Sequence, residues 1–562
     1  MHIRKRSLRF SCIFLALITF LLYFTFRLLM IQFFRSSHLA ALAAKQQSHY
    51  IKLEPVRGTI FDRKLRPLAV NVTVYSLFAN PRIMTPENIQ RALDELPGIV
   101  NISKDSLSEQ LGKDKYFVWL ARKLPKDQME KIRELKIRGL DFKKESKRYY
   151  PNGHLAAQIL GFAGMDNKGL EGLELVHDKM LRGEPGWSHI LRDARQRDLL
   201  IEKSFVPPKD GFSLVLTIDE TIQYIVETAL DKAFKAQNAK SATVVVMDPQ
   251  TGEVLAMANR PTYDLGHASD SRPEDRINRA VALVYEPGSV FKIVVASAAL
   301  EEEAFRETDK IFCENGTYKV GNRILHDHHP HGNLSFTEVI EQSSNIGVTK
   351  IAQKLTGPVF YKYAKRFRFG MNTGIDLLGE VNGVLKPTSQ WSKTTISAMP
   401  MGHEVSVTPL QLACAISTIA NGGIYMKPFV VKYIKDDKDV LIKSFEPQVV
   451  DRVLSDDTAR RVKAILAGAV AEGTGQKAKI EGVAVAGKTG TAQKIVNGEY
   501  SHSKFYASFI GFAPVENPRI AVAVMFDEPH PYHYGGTVAA PVFKEIVENA
   551  LKYLGSEAHR NP

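Results

Sequence analysis

The sequence predicts an α+β protein: an antiparallel sheet flanked by helices in the C-terminal half, behind an N-terminal membrane helix and a mixed α/β region. Three observations lead there. An apolar run from Phe10 to Phe34 carries one charge, Arg27. Thr243–Asp248, the turn Pro249-Gln250-Thr251-Gly252 and Glu253–Met257 form a hairpin pattern rich in β-branched residues. Two further strand-like runs, Phe505–Phe512 and Ile520–Phe526, precede a helical one, Pro541–Leu554.

The elements follow in order. Arg4, Lys5, Arg6 and Arg9 precede the apolar run, with no acidic residue before it. The 17 residues from Phe10 to Phe26 are the short end of a span, and a snorkelling Arg27 lets it extend to Phe34. The basic residues make 1–9 a cytoplasmic tail, 10–34 a single-pass anchor, and the remainder external. A cleaved signal peptide competes through the small-residue site Ala41-Leu42-Ala43, but the apolar stretch exceeds a usual signal core. Residues 35–210 mix short strands and helices, among them a charged helix over Asp127–Leu135. Val206-Pro207-Pro208-Lys209-Asp210-Gly211 is a turn-rich break. Residues 211–556 then open with a strand, Leu214–Asp219, and a helix, Gln223–Phe234, before the hairpin. Residues 557–562 are a short tail.

At 562 residues and 44% hydrophobic content the chain has room for two or more cored domains. Its net charge of +13 is concentrated in residues 1–235, which hold 38 Lys+Arg against 26 Asp+Glu. That surplus suits anionic lipid headgroups or acidic wall polymers, or is simply a solvated surface. No aromatic-interleaved basic motif supports nucleic-acid binding. Cys12, Cys313 and Cys414 form neither a disulfide framework nor a zinc spacing, and two separate thiols are expected at 313 and 414. His326-Asp327-His328-His329-Pro330-His331 offers metal-type ligands, but in one stiff run rather than separated pairs; a loop lining the cleft is expected, with no metal or other cofactor.

Three short motifs carry the chemistry: Ser289-Val290-Phe291-Lys292, Ser343-Ser344-Asn345 and Lys488-Thr489-Gly490-Thr491. Serine needs a base to become a nucleophile, and three residues along a helix return Lys292 to the face of Ser289. Lysine acts as a base when burial or a second cation lowers its pKa, and Lys488 is a candidate second cation. Tyr285-Glu286-Pro287-Gly288 reads as a turn into an apolar helix, whose N–H groups point towards a reacting carbonyl. Ser343 and Asn345 offer a proton-relaying hydroxyl and an amide for a substrate backbone, or else a helix cap. Lys488, Thr489 and Thr491 on a strand edge make a carboxylate receptor, and Gly487 and Gly490 would let a ligand approach that edge closely. A second Ser-x-x-Lys, Ser501–Lys504, lies beside a strand and is given no role. A Lys-Thr-Gly tripeptide arises by chance in about one chain in ten of this length, so the weight lies in the ordered set.

This trio is the set associated with penicillin-binding proteins and serine β-lactamases. The chain resembles a class B penicillin-binding protein of the cell-division type, a peptidoglycan D,D-transpeptidase. The resemblance extends to Arg57-Gly58-Thr59-Ile60-Phe61-Asp62-Arg63, Arg148-Tyr149-Tyr150-Pro151, Gly169–Glu174, Asn278-Arg279-Ala280-Val281, Val407–Leu412 and Tyr534-Gly535-Gly536. It implies the serine β-lactamase and penicillin-binding transpeptidase fold over 211–556, on an elongated pedestal, the family's dimerisation-type domain, over 35–210. Asn345, where elongation-type relatives carry Asp, favours the division type.

The resemblance implies catalytic roles for Ser289, Lys292, Ser343 and Lys488, and substrate binding by Asn345, Thr489, Gly490 and Thr491. Backbone N–H groups of Ser289 and Thr491 would form the oxyanion hole. It implies as partners D-Ala-D-Ala stem peptides, β-lactam antibiotics, the membrane, a glycosyltransferase of the SEDS family and other division proteins. Glycan polymerisation needs such a partner because no glycosyltransferase region precedes the pedestal. The alternatives are an elongation-type enzyme, a D,D-carboxypeptidase or β-lactamase, and a non-catalytic β-lactam sensor or scaffold.

Overall fold

The apolar run forms helix α1 (His2–Leu29), which continues through a π-helical turn, Met30–Phe34, into α2 (Ser36–Gln47). The computed structural model describes residues 2–192, 198–321 and 323–558; Met1 and most of the predicted tail, 559–562, lie outside the described residues. Phe10–Phe34 has a mean hydropathy of 2.2 and no buried side chain. An apolar helix with no protein against it needs lipid, so the protein is membrane-anchored. Two compact units contain the chain. The smaller takes the chain up to Val56 together with Gly183–Asp210, and holds an antiparallel sheet in which Ser48–Leu53 pairs with Gly186–Arg192, which pairs with Asp198–Val206.

The larger unit takes Arg57–Arg182 and the chain from Gly211 on. Its first sheet uses β1 (Ile60–Phe61), β2 (Pro67–Ala79), β3 (Val118–Leu124), β4 (Leu140–Tyr149), β5 (Ser213–Leu216), β8 (Val431–Lys435) and β9 (Leu441–Ser444). The order is β9–β8–β5–β1–β2–β3, with β4 also paired to β2. The β1–β5 contact is parallel and joins the chain on either side of the turn-rich break at 206–211. A separate small core, including Leu77, Ala92, Leu96, Leu107 and Ile132, fills the space between this sheet and its own helices.

The predicted helix-flanked antiparallel sheet is the second one. It is built from β6 (Ser241–Met247), β7 (Val254–Arg260), β10 (Ala486–Val496), β11 (Glu499–Ala513) and β12 (Ile520–Asp527), in the order β7–β6–β12–β11–β10. Strand side chains alternate between faces, and here both faces are covered. Val244, Val246, Val522 and Val524 pack against α3 (Glu220–Ala236) and α8 (Gly535–Ala558). Val245, Met247, Ala521 and Ala523 point the other way, into the core with α4 (Lys292–Glu301), α5 (Asn345–Leu355) and α6 (Pro409–Ala420). Full burial of such Val or Leu side chains is worth about 1.5–3 kcal/mol each. The order leaves β10 at an edge, with one side free of strand partners among the described residues, and β10 carries the Lys-Thr-Gly-Thr motif.

Several boundaries move. The strand expected over Leu214–Asp219 ends at Leu216, and the buried Asp219 instead caps α3, its carboxylate accepting from Thr221 N and Ile222 N. Helix α8 starts at Gly535, so Pro541 lies inside it rather than at its first turn. Strand β11 starts at Glu499 and takes in Ser501 and Lys504. Residues three apart on a strand face opposite ways, and Lys504 instead pairs with Glu528 at 3.3 Å. Cys313 and Cys414 are both buried and free.

Candidate active site

Pro287 and Gly288 bring the chain into a 3-10 turn, Gly288–Phe291, that leads straight into α4. Ser289 therefore sits on the 3-10 turn and not on the α-helix expected for it. The tighter winding eclipses positions i and i+3, which stacks Ser289 over Lys292 more directly than an α-helix would. Gly288 has φ +59°, and a Cβ there would lie 2.8 Å from the Thr491 carbonyl oxygen, so the turn demands glycine. The Ser289 hydroxyl is half-buried and has no hydrogen-bond partner among the described residues.

Lys292 is completely buried. Its Nζ lies 2.5 Å from the Ser343 carbonyl oxygen, 3.1 Å from Ser343 Oγ and 2.9 Å from Asn345 Oδ1. Ser343 reaches this position in the left-handed region, φ +59°, which turns both its carbonyl and its hydroxyl towards the lysine. Burial holds the Lys292 amine well below the ordinary lysine range; Lys488 pushes the same way, and Asp327 opposes.

Ser344 is the N-cap of α5, accepting from Gly347 N at 2.9 Å, so the helix-cap reading of this motif holds for its middle residue. Asn345 is the first residue of α5. Both ends of its amide are engaged, Oδ1 by Lys292 and Nδ2 by the His326 carbonyl at 3.0 Å.

On the edge strand, Lys488 is completely buried, and burial brings its amine down to about 7. Thr489 shares a 2.8 Å hydroxyl contact with Thr474, and Thr491 Oγ1 accepts from Gly535 N at 3.1 Å. Gly490 differs from expectation. A Cβ on it would meet Ser508 Oγ at 2.4 Å and the Pro287 carbonyl at 2.8 Å, and one on Gly487 would meet the Phe509 ring at 2.5 Å. These glycines make room for the nucleophile turn and the neighbouring strand, not for a ligand.

A cleft of about 580 Å³ brings Ser289, Ser343, Thr489 and Thr491 together, with His328 and Tyr534 on its walls. Lys292, Asn345, Lys488 and Gly490 do not line it. The His328 and Tyr534 rings meet edge-on at 5.9 Å, and burial lowers the His328 pKa. The His326–His331 loop lines the cleft as expected, through His328 and His329, whereas Thr474, the capping role of Asp327 and the His328–Tyr534 contact were not legible in the sequence. Asp327 Oδ1 accepts from Asn345 N at 2.5 Å and Ile346 N at 3.0 Å, and Oδ2 from Ser344 Oγ at 2.6 Å, a carboxylate at a helix N-terminus. It stands in the run read above as a cleft-lining loop, and no local pattern announces a cap 18 residues before its helix.

A buried amine pair beneath a serine, a second serine and a hydroxyl-lined strand edge is an acyl-transfer arrangement. The comparisons with known proteins agree. The penicillin binding protein transpeptidase domain matches residues 242–548, and the penicillin-binding protein dimerisation domain matches residues 52–216. The chain belongs to the class B penicillin-binding proteins. As a member of that family it is a serine-type, penicillin-binding peptidoglycan D,D-transpeptidase.

Among its relatives is Stage V sporulation protein D of Bacillus subtilis, 35% identical over 568 residues, covering 100% of this chain and 87% of that protein. Peptidoglycan D,D-transpeptidase FtsI of Escherichia coli is 34% identical over 510 residues, covering 89% of this chain and 84% of that one. Among solved structures, penicillin binding protein 3 from Mycobacterium tuberculosis, complexed with aztreonam, is 28% identical, with a TM-score of 0.71 over 90% of this chain and 97% of that one.

Proposed function

We propose that this penicillin-binding protein cross-links stem peptides in the septal wall, with Ser289 as nucleophile and Lys292 as its base. The observation that carries the base assignment is the surroundings of Lys292 Nζ. Two neighbours, the Ser343 carbonyl and Asn345 Oδ1, accept only, and no carboxylate pairs with the amine among the described residues. A neutral amine donates its two N–H bonds to those acceptors and leaves its lone pair for a hydroxyl proton.

Ser289 Oγ attacks the carbonyl of the penultimate D-Ala and passes its proton to Lys292. The peptide bond breaks, and the proton moves through the Ser343 hydroxyl to the departing D-Ala amine. The Ser289 and Thr491 N–H groups hold the developing oxyanion. Thr489 and Thr491, which line the cleft, hold the terminal carboxylate, with the Lys488 amine buried behind them as an electrostatic support and Gly490 allowing the close fit of strand and turn. Asn345 orients Lys292 through Oδ1, and its Nδ2 exchanges the His326 carbonyl for the substrate backbone. An amine from a second stem peptide then attacks the ester, forms the cross-link and frees Ser289. A β-lactam enters by the same attack and remains attached.

The N-terminal basic residues support a cytoplasmic N-terminus with the catalytic domain, 211–556, on the outer side of the inner membrane, and residues 35–210 are assigned as the pedestal domain. Asn345 supports the division role, which would bring a SEDS glycosyltransferase and other division proteins as partners. The test is fluorescent penicillin labelling of wild type and Ser289→Ala, with a cross-linking assay on lipid-linked substrate. Labelling of wild type alone, with cross-links formed, is expected; equal labelling of both removes Ser289 as nucleophile, and rapid hydrolysis without cross-links removes transpeptidation.

A further inference from the structure

Two residues before the nucleophile turn, Glu286 is buried at 9% exposure, and the transfer chemistry above makes no use of it. Its carboxylate collects three partners from two distant segments. Oε2 lies 2.8 Å from His403 Nδ1, and Oε1 accepts from Glu404 N at 2.9 Å and from the Tyr500 hydroxyl at 3.3 Å. The His403 and Tyr500 rings meet edge-on at 5.1 Å, closing the group. Glu404 takes a left-handed φ of +58° to present its N–H, and its own carboxylate accepts from Thr395 Oγ1 at 2.8 Å.

The backbone around this carboxylate is equally tied. Segment 402–407 runs antiparallel to 285–288. Tyr285 N and Val407 N exchange bonds with each other's carbonyls at 3.1 and 3.0 Å, and Gly288 N reaches the Gly402 carbonyl at 3.3 Å. A Cβ on Gly402 would lie 2.1 Å from the Gly288 carbonyl oxygen. On the opposite side Gly490 admits the Pro287 carbonyl against β10. The nucleophile turn is therefore gripped between a strand edge and segment 402–407. Four 3-10 residues have few bonds of their own to fix a serine.

We infer that Glu286 is a positioning residue for the acyl-transfer step: its carboxylate fastens segment 403–404 and Tyr500 to the nucleophile turn and so fixes Ser289 for attack. Its side chain touches neither Lys292 nor Ser343, so its effect passes through the turn. Misplacing a reacting group by about 1 Å costs on the order of a hundredfold in rate. The inference rests on Ser289 being the nucleophile.

The test measures β-lactam acylation by the full chain in detergent, separating the dissociation constant of the initial complex from the first-order acylation rate. For Glu286→Ala a fall in the acylation rate on the order of tenfold to a hundredfold is expected, with the dissociation constant within about threefold. Glu286→Gln, which keeps an acceptor for Glu404 N and Tyr500, is expected to recover most of that rate. A rate for Glu286→Ala equal to wild type overturns the inference, as does a Gln variant as slow as the Ala variant. If Glu286→Ala does not fold, the half-exposed partners carry the test in His403→Ala with Tyr500→Phe, where an unchanged rate overturns it equally. Peptide mapping of the labelled wild type keeps the two readings apart: label at a site other than Ser289 removes the nucleophile assignment, whereas label at Ser289 with no effect of Glu286 removes this inference alone.

Discussion

Arg57 and Arg148, before the turn-rich break, and Lys292 and Lys488, after it, are all buried, yet the arginines face carboxylates and the lysines do not. Arg57 pairs with Glu174 at 2.7 Å and Asp178 at 2.6 Å, and Arg148 pairs with Glu174 at 2.5 Å. Lys292 faces a carbonyl, an amide oxygen and a hydroxyl, and among the described residues Lys488 has one long hydrogen bond, 3.4 Å, to the Thr489 carbonyl. A guanidinium cannot shed its proton, so its burial requires compensating charge. An amine can, so burial without a carboxylate gives a base instead of an ion pair. The first cluster holds the fold and the second prepares chemistry.

The sharpest way to break this comparison is Lys292→Arg, which keeps the cation and removes the ability to lose a proton. Penicillin acylation is expected to fall by about 10²–10⁴-fold, the worth of a general base. A rate near wild type in stopped-flow labelling would show that charge alone suffices. In the other cluster, Glu174→Gln leaves two buried guanidinium groups short of charge. A loss of about 3–5 kcal/mol is expected in urea unfolding, with the acylation rate per folded molecule unchanged; a rate loss without a stability loss would erase the distinction between the clusters.

The pH dependence of stability sharpens it further. The folded Lys488 pKa, about 7, lies below its ordinary 10.5, so between these values the unfolded chain binds more protons. Stability contributed by this site therefore rises with pH from about 7 to about 10.5 and is lost on the way down. Lys488→Met should remove a slope of at most about 1.4 kcal/mol per pH unit in that window, seen by comparing unfolding midpoints of variant and wild type at several pH values. An identical slope in both would mean the amine stays charged. The smallest effect is expected at Asp327. Asp327→Asn weakens the cap of α5 by about 0.5–2 kcal/mol and should appear as a lower melting temperature; no change would leave Ser344 sufficient as the cap.

Much of the catalytic region was legible locally. The β6–β7 hairpin and β12 show themselves through β-branched runs, β11 through aromatic residues in alternation, and the three motifs through residue types their chemistry requires. The misses share a cause. Asp327 caps a helix that starts 18 residues later, Gly490 accommodates a turn about 200 residues earlier, and Glu286 binds partners more than 100 residues downstream. No spacing within one segment encodes such contacts. Ser501–Lys504 shows the converse: the same residue spacing has different geometry on a strand, where Lys504 turns to Glu528.

By itself the sequence determined the anchor, the order of the motifs and the α+β pattern, because these depend on hydrophobic runs, periodicity and the chemistry of single side chains. Tertiary structure alone decided that β10 lies at a sheet edge, that the two lysines are buried without a carboxylate partner among the described residues, and that segment 402–407 grips the nucleophile turn. Burial and mutual distance depend on how segments far apart in the chain pack, and they convert an ordinary lysine amine into one that gives up its proton.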